Sequence, residues 1–350
     1  MTRKEMFTAN RAITPPQSWR DPQNHWRVVL AHPWYRHLVQ IQHQLLFAIH
    51  DYFASKGMIT ISMPPTTGCI SSPQGLGSDS LPVEVDLCGV RTYLADSMQF
   101  MLEFGCRLHP AGVYYVMPCF RGEPTDQHHL PQFYHAEAEL LGQLQDVIGL
   151  GSHMVHYISG RMLERCAESI RALAGGTTHI EQALYLNGKY PQCRADDALR
   201  DLREADTNWI TRHPAGFDLI TRAGEAELAR RHGVAGILWL THFDHLLAPF
   251  YQAYEEGTGK AMNADLVLET CETVGAGERH STSTQARSAL AQHQVPSESY
   301  EWYLNMRDDW PMRTSGLGMG LERYLLWLLR HDDIRDLTIV YRENGLRILP

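Results

Sequence analysis

From Phe133 to Glu139 the sequence reads Phe-Tyr-His-Ala-Glu-Ala-Glu, and this two-residue period commits the segment to a strand with unlike faces. Phe133, His135, Glu137 and Glu139 share one face; Tyr134, Ala136 and Ala138 share the other. Base rates for carboxylates favour a solvated acidic face. The preceding strand-like run, Val113 to Phe120, ends in Arg121-Gly-Glu123, and the polar stretch Gly122 to His129 joins the two as a long-looped antiparallel hairpin. Arg121 at the rim of the acidic face makes either a salt bridge or an anion site.

Around this hairpin the chain is organised in blocks. Residues 1 to 33 show neither helical nor strand period and read as an arm laid on the body. Leu38, Ile41, Leu45, Ile49 and Phe53 recur at three- and four-residue steps and stop at Lys56-Gly57, which predicts an amphipathic helix over 34–56. Met58 to Met63 alternates as a strand ended by Pro64-Pro65. Residues 66–82, rich in Ser, Gly and Pro, form a loop, read as a lid or, on base rates, a plain surface loop. Residues 146–250 are mostly helical in pattern and read as an insertion or cap; strands return at 264–268 and 315–319, and a helix follows at 321–331. Strands and helices in blocks, rather than strict alternation, predict an α+β fold with a mainly antiparallel sheet flanked by helices.

Composition narrows the class of function. Across 350 residues, 31 basic and 40 acidic side chains give a net charge of −9, a field that repels a phosphate backbone. Seven cysteines without a Cys-x-x-Cys pair point to reduced thiols and away from a structural zinc site. With neither a signal-peptide core nor a run of about 18 apolar residues, the expected place is the cytoplasm, away from membranes.

Two further groups could carry chemistry. Asp265 and Glu272, seven apart and followed by Arg279 seven further on, converge only if the chain turns between Glu269 and Cys271; two carboxylates meeting there would suit Mg²⁺. Gly316-Leu-Gly-Met-Gly320 before a helix carrying Arg323 is either a packing device or a backbone that must approach a ligand closely, with an arginine aimed at phosphate. It is neither a Walker loop nor a dinucleotide fingerprint. His128-His129 and Thr241-His-Phe-Asp-His245 lack metal-ligand spacing and read as ordinary histidines.

Three segments then fall in the order of a known family. The helix and strand ending at Pro64, Phe120-Arg-Gly-Glu123 through His129-Leu-Pro-Gln-Phe133, and Gly316-Leu-Gly-Met-Gly-Leu-Glu-Arg323 resemble motifs 1, 2 and 3 of the class II aminoacyl-tRNA synthetases. The resemblance covers about 36–350, which implies a class II catalytic domain over 34–350 with a helical insertion at about 146–250. Tyr93-Leu-Ala-Asp-Ser-Met-Gln99 and Asp265-Leu-Val-Leu with Glu272 and Arg279 resemble the aspartyl/asparaginyl branch. Leu102 where aspartyl enzymes have lysine, Glu103, Glu137, and Tyr303-Leu-Asn-Met-Arg307 incline towards its asparaginyl side.

The resemblance implies that a substrate carboxylate attacks the α-phosphate of ATP to give an acyl-adenylate, with positioning and charge neutralisation as the catalytic means. Arg121 and Arg323 would be catalytic, Arg121 bridging carboxylate and α-phosphate. Glu123 and Phe133 would hold adenine, with Gly320 at the same nucleotide site. His129 and Arg323 would meet the γ-phosphate. Asp265 and Glu272 would bind Mg²⁺, and Ser97, Gln99, Glu137 and Arg279 would line the amino-acid pocket. A two-fold homodimer through the apolar helix at 34–56 is also implied.

Some positions depart from the branch. Only about 33 residues precede motif 1, so an anticodon-binding barrel is not expected; His128 and Gln132 replace charged residues of the motif 2 loop; and Pro73-Gln74-Gly75 stands where the flipping loop has Glu-Gly. These departures resemble stand-alone asparaginyl-tRNA synthetase paralogues of the archaeal asparagine synthetase-related type. The leading expectation is therefore an AMP-forming ligase that adenylates aspartate or a close analogue and passes the acyl group to ammonia or another small amine. Aminoacylation or modification of a tRNA by the catalytic domain alone ranks second, and a non-catalytic sensor of an amino acid or adenylate third.

Overall fold

The computed structural model describes residues 11–71, 76, 80–205, 207–269 and 271–349. Its main sheet is built, in chain order, from β1 (Ile59–Thr60), β2 (Val113–Phe120), β3 (Gln132–Leu141), β4 (Gln192–Arg194), β5 (Ile237–Thr241), β6 (Asn263–Leu268), β7 (Cys271–Glu278) and β8 (Thr314–Gly320). Across the sheet they lie in the order β1-β2-β3-β8-β7-β6-β5-β4. The two edge pairs are parallel and every pair between them is antiparallel. This is the mixed α+β fold that the blockwise pattern predicts.

One face of the sheet carries the core. Ala136, Ala138, Leu266, Val274, Ala276, Leu317 and Met319 project into it and meet two long helices, α1 (Pro33–Ser55) ahead of the hairpin and α3 (Leu144–Ala174) directly after it. The helix foreseen over 34–56 starts on a proline at its first turn and ends before Gly57, whose φ of +74° is a left-handed stop. Its apolar stripe, Leu38, Ile41, Leu45, Ile49 and Phe53, is wholly buried within this chain's own core. The apolar face that suggested a dimer is thus already covered, and only Val39 and Phe47 of this helix remain exposed large apolar residues.

Residues 146–250 are more integrated than an inserted cap. They supply α3 to the core and β4 and β5 to the main sheet, and place α4 (Ala195–Ala205) and α5 (Arg222–His232) on the opposite face. β5 is buried along its whole length, so its residues carry no alternation that would separate a strand from a buried helical turn. The described part of the N-terminal segment lies on the body: Ile13 N–H donates to Ala172 O (3.1 Å), and His25 meets Ser18 Oγ (2.9 Å) and Ile339 O (3.2 Å). No helix among the described residues is long and apolar enough to cross a membrane.

Candidate active site

The face of the sheet away from the main core is floored by glycine. Gly316 lies opposite Glu139 and Gly277, Gly318 opposite Glu137 and Gly275, and Gly320 opposite His135. A β-carbon on Gly316 would fall 1.8 Å from Glu139 Oε2 and 2.6 Å from Arg279 Nη2, so the strand has to be bare for the charged pair to lie across it. The glycine run is therefore more than a packing device.

Glu137 and Glu139 are not on a solvated face: they are 3% and 0% exposed. Glu137 Oε2 accepts from Ser97 Oγ at 2.6 Å and from the Tyr115 hydroxyl, and Oε1 faces His135 Nδ1 at 2.7 Å. Burial pushes the Glu137 carboxyl up, but His135, Ser97 and Tyr115 outweigh it and hold the group below the usual carboxylate range. Glu139 accepts from Arg279 Nη2 at 3.0 Å and Nε at 3.2 Å. Burial drives its carboxyl up to about 7 despite that partner. Arg279 also lies over the Tyr251 ring, and with the Gln99 amide oriented to satisfy both neighbours, its carbonyl accepts from Arg279 Nη1 at 2.9 Å while its NH₂ donates to Tyr251. Behind this layer Arg307 is paired with Glu103, which also accepts from the Tyr303 hydroxyl at 2.6 Å. Ser97, Gln99, Glu137 and Arg279 are thus brought together as expected, and Tyr115, Glu139, Tyr251 and His135 join them. Leu102 is buried in an apolar cluster with Ala95, Cys106 and Tyr115 and presents no cation.

Arg121, Phe133 and Arg323 make a second zone. Arg121 stacks over Phe133 with its guanidinium carbon 5.4 Å from the ring centre, and its Nε is buried without a hydrogen-bond partner. An orphaned guanidinium nitrogen beside an aromatic ring is the arrangement an anionic, planar ligand completes. Glu123 accepts from Leu81 N–H at 3.1 Å, and its other oxygen is likewise buried and unpaired. Arg323, on α7 (Leu321–Leu328), donates to Glu272 O at 3.1 Å and Oε2 at 3.3 Å. His129 is in the exposed loop, where Asp126 Oδ1 accepts from its backbone N–H at 2.8 Å and lies 3.0 Å from Nδ1. Gly320 caps α7 with nothing nearer to its β-position than the Arg323 stem at 3.7 Å.

Asp265 and Glu272 do converge. The chain reverses with Glu269 at φ +54°, and a register shift between Leu266 and Val267 moves Glu272 onto the face of Asp265. Both carboxylates flank Gly275: a β-carbon there would lie 3.0 Å from Glu272 Oε1 and 3.8 Å from Asp265 Oδ1. Burial, then the charges of Glu272 and Glu225, hold the Asp265 carboxyl well above its ordinary range. Clustered hard oxygens whose charges raise the proton affinity of Asp265 fit a divalent cation such as Mg²⁺, which would relieve that repulsion.

Sequence reading missed Glu225 and Arg222, which α5 delivers from the segment taken as a cap. Burial pushes the Glu225 carboxyl up to about 7, and Glu272 adds to the effect. Burial and the neighbouring Arg222 drive His128 down to about 4, so this arginine belongs to the same positive field as Arg323. The only sequence signal was an N-cap threonine, Thr221, opening a helix with Arg222 and Glu225 in its first turn. Pro73-Gln74-Gly75 lies outside the described residues; the segment entering it is anchored by Ser71, whose N–H donates to Asp96 Oδ1 at 3.2 Å.

Comparison with known proteins places this geometry. The family model described as tRNA synthetases class II (D, K and N) matches residues 22–343. The chain is 25% identical over 320 residues to an asparagine–tRNA ligase of Koribacter versatilis, covering 89% of this chain and 70% of that protein. It is 27% identical over 319 residues to one of Thermus thermophilus, covering 87% and 70%. Among solved structures, the asparaginyl-tRNA synthetase of Pyrococcus horikoshii complexed with asparaginyl-adenylate superposes with a TM-score of 0.82 at 20% identity, over 93% of this chain and 73% of that one. An aspartyl tRNA synthetase of Entamoeba histolytica gives 0.74 at 16% identity, over 95% and 63%. At these identities the structural likeness carries the fold.

Proposed function

Because the chain belongs to the class II tRNA synthetases of the D, K and N type, we propose that it is an ATP-dependent, AMP-forming ligase that adenylates asparagine or a close analogue and transfers the acyl group to the end of a tRNA. The observation that carries the substrate is the charge of the buried pocket: Arg279 and Arg307 are each already paired, with Glu139 and Glu103, and Glu137 adds a third carboxylate. Among the described residues of this pocket no surplus positive charge awaits an aspartate side chain, whereas an amide can donate to a carboxylate and accept from a guanidinium. This moves the substrate from aspartate to asparagine. The acceptor moves as well, because the similar curated proteins are named asparagine–tRNA ligases and no separate observation favours ammonia or another amine.

Arg121, with its unpaired Nε, would span the substrate carboxylate and the α-phosphate and neutralise the charge that develops as the oxygen attacks in line. Phe133 and Glu123 would seat the adenine, and Arg323, Arg222 and His129 would meet the outer phosphates. Asp265 and Glu272 would hold Mg²⁺, which when bound would supply neutralisation of phosphate charge. Ser97 and Tyr115 hold the Glu137 carboxylate through Oε2, and Gln99 holds Arg279, so that both would face the substrate already oriented.

Amino-acid-dependent exchange of pyrophosphate into ATP, run with asparagine and aspartate, followed by transfer from the preformed adenylate to bulk tRNA or to ammonia, tests each part. Exchange with asparagine and acyl transfer to tRNA is the expected result. Exchange with transfer to ammonia alone would restore the amine-ligase reading, and adenylate binding without exchange would indicate a sensor. A two-fold dimer is proposed on the family resemblance alone, since the apolar stripe of α1 is covered within the chain, and light scattering at micromolar concentration would return a single-chain mass if it is wrong.

A further inference from the structure

Cys119, His135 and Glu137 each offer one ligand atom, and these atoms lie within 4.8 Å of one another. The juxtaposition follows from register: Met117 pairs with His135 and Tyr115 with Glu137, so Cys119 sits diagonally from His135 on the face that carries the substrate pocket. Cys119 is fully buried, its thiol in a weak contact with Met117 O at 4.0 Å, and His135 is half-buried. Glu137 is held from behind by Ser97 and Tyr115 through Oε2, which leaves Oε1 turned towards the histidine. Such outer hydrogen bonds orient a ligating carboxylate.

We propose that Cys119, His135 and Glu137 bind a zinc-class divalent cation at the mouth of the amino-acid pocket, with its fourth position open to a water or to the neutral amine of the substrate. One sulfur, one imidazole nitrogen and one carboxylate oxygen are a borderline donor set that suits Zn²⁺ or Co²⁺, whereas the all-oxygen pair Asp265 and Glu272 suits Mg²⁺. With bonds of roughly 2.3 Å to sulfur and 2.0 Å to nitrogen and oxygen, neighbouring ligand atoms of such a tetrahedral site stand roughly 3.3–3.5 Å apart. The His135 to Glu137 contact of 2.7 Å would therefore open by roughly half an ångström, within the reach of side-chain torsions. On binding, the thiol proton of Cys119 leaves to solvent and the thiolate becomes the ligand, with no change of oxidation state. The scattered cysteines that argue against a Cys-x-x-Cys zinc site do not bear on this one, whose ligands come from two paired strands. The role of the fourth position rests on the pocket being an amino-acid site; the metal itself does not.

The test strips the full-length protein with a chelator and titrates it with Co²⁺. A thiolate-to-cobalt charge-transfer band saturating at one equivalent and displaced by Zn²⁺ is expected. It should vanish in Cys119→Ser, weaken at least tenfold in cobalt affinity in His135→Gln, and persist in Cys88→Ser, whose thiol is exposed at a hairpin turn outside the main sheet. Absence of the band from the wild-type protein, or its persistence in Cys119→Ser, would overturn the site. The wild-type titration stands whether or not a variant folds. No amino acid enters the assay, so an error in the substrate reading would leave the band unchanged.

Discussion

The two halves of the cleft are built on opposite plans. On the side proposed for the amino acid, the charges among the described residues have their partners inside the protein: Arg279 with Glu139, Arg307 with Glu103, Glu137 with Ser97, Tyr115 and His135. On the nucleotide side Arg121 Nε and one Glu123 oxygen are buried and unpaired, and Asp265, Glu272 and Glu225 crowd one another. The first half is already paired and, on the proposed reading, would discriminate between small side chains, because a misfit would leave a buried charge without its partner. The second stores electrostatic demand that ATP and a cation would satisfy.

Breaking the settled half should cost stability first. Gly316→Ala drives a methyl group into Glu139 and Arg279 and is expected to lower unfolding free energy by about 3–5 kcal/mol, the cost of breaking a buried pair, as read by urea denaturation. Breaking the unsatisfied half should do the reverse. Arg121→Ala is expected to lower amino-acid-dependent exchange by about 10²–10³-fold while leaving the denaturation midpoint nearly unchanged; loss of stability without loss of exchange would invert the comparison.

Glu322 sharpens the boundary between the halves. It is buried on α7, accepts from Tyr134 N–H at 3.1 Å, and burial pushes its carboxyl up to about 7. Since its folded value exceeds the unfolded one, its contribution is complete at pH values below the ordinary glutamate range and is lost as pH rises towards 7, where the unfolded chain ionises but the buried group resists. Glu322→Gln should flatten this part of the stability profile by one proton, worth at most about 3 kcal/mol, as measured by denaturation at several pH values. The smallest effect belongs to Arg222: replacing it with alanine is expected to raise the KM for ATP by about tenfold, the worth of a charge-assisted contact, with the KM for the amino acid unchanged.

Local pattern made the hairpin, the glycine strand, the turn at Glu269 and most named site residues legible. Alternation fixed which side chains share a face, and odd spacing required the reversal that joins Asp265 to Glu272. Burial of Glu137 and Glu139 was not legible, because it depends on Arg279, Gln99 and Tyr115 arriving from three other elements. Glu225 and Arg222 were hidden for the same reason: only the docking of α5 against β6 and β7 brings them to the cleft, and no period within 222–232 encodes it.

On the reading proposed above, the amino-acid pocket, its arginines already paired, is shaped for an amide rather than a carboxylate. Calorimetric titration with the sulfamoyl analogues of asparaginyl- and aspartyl-adenylate tests it most directly. The asparaginyl analogue should bind at least tenfold more tightly to the wild-type protein, and Glu139→Gln, which releases Arg279, should narrow or reverse that preference. Equal or tighter binding of the aspartyl analogue by the wild-type protein would show that the pocket is not selective for an amide.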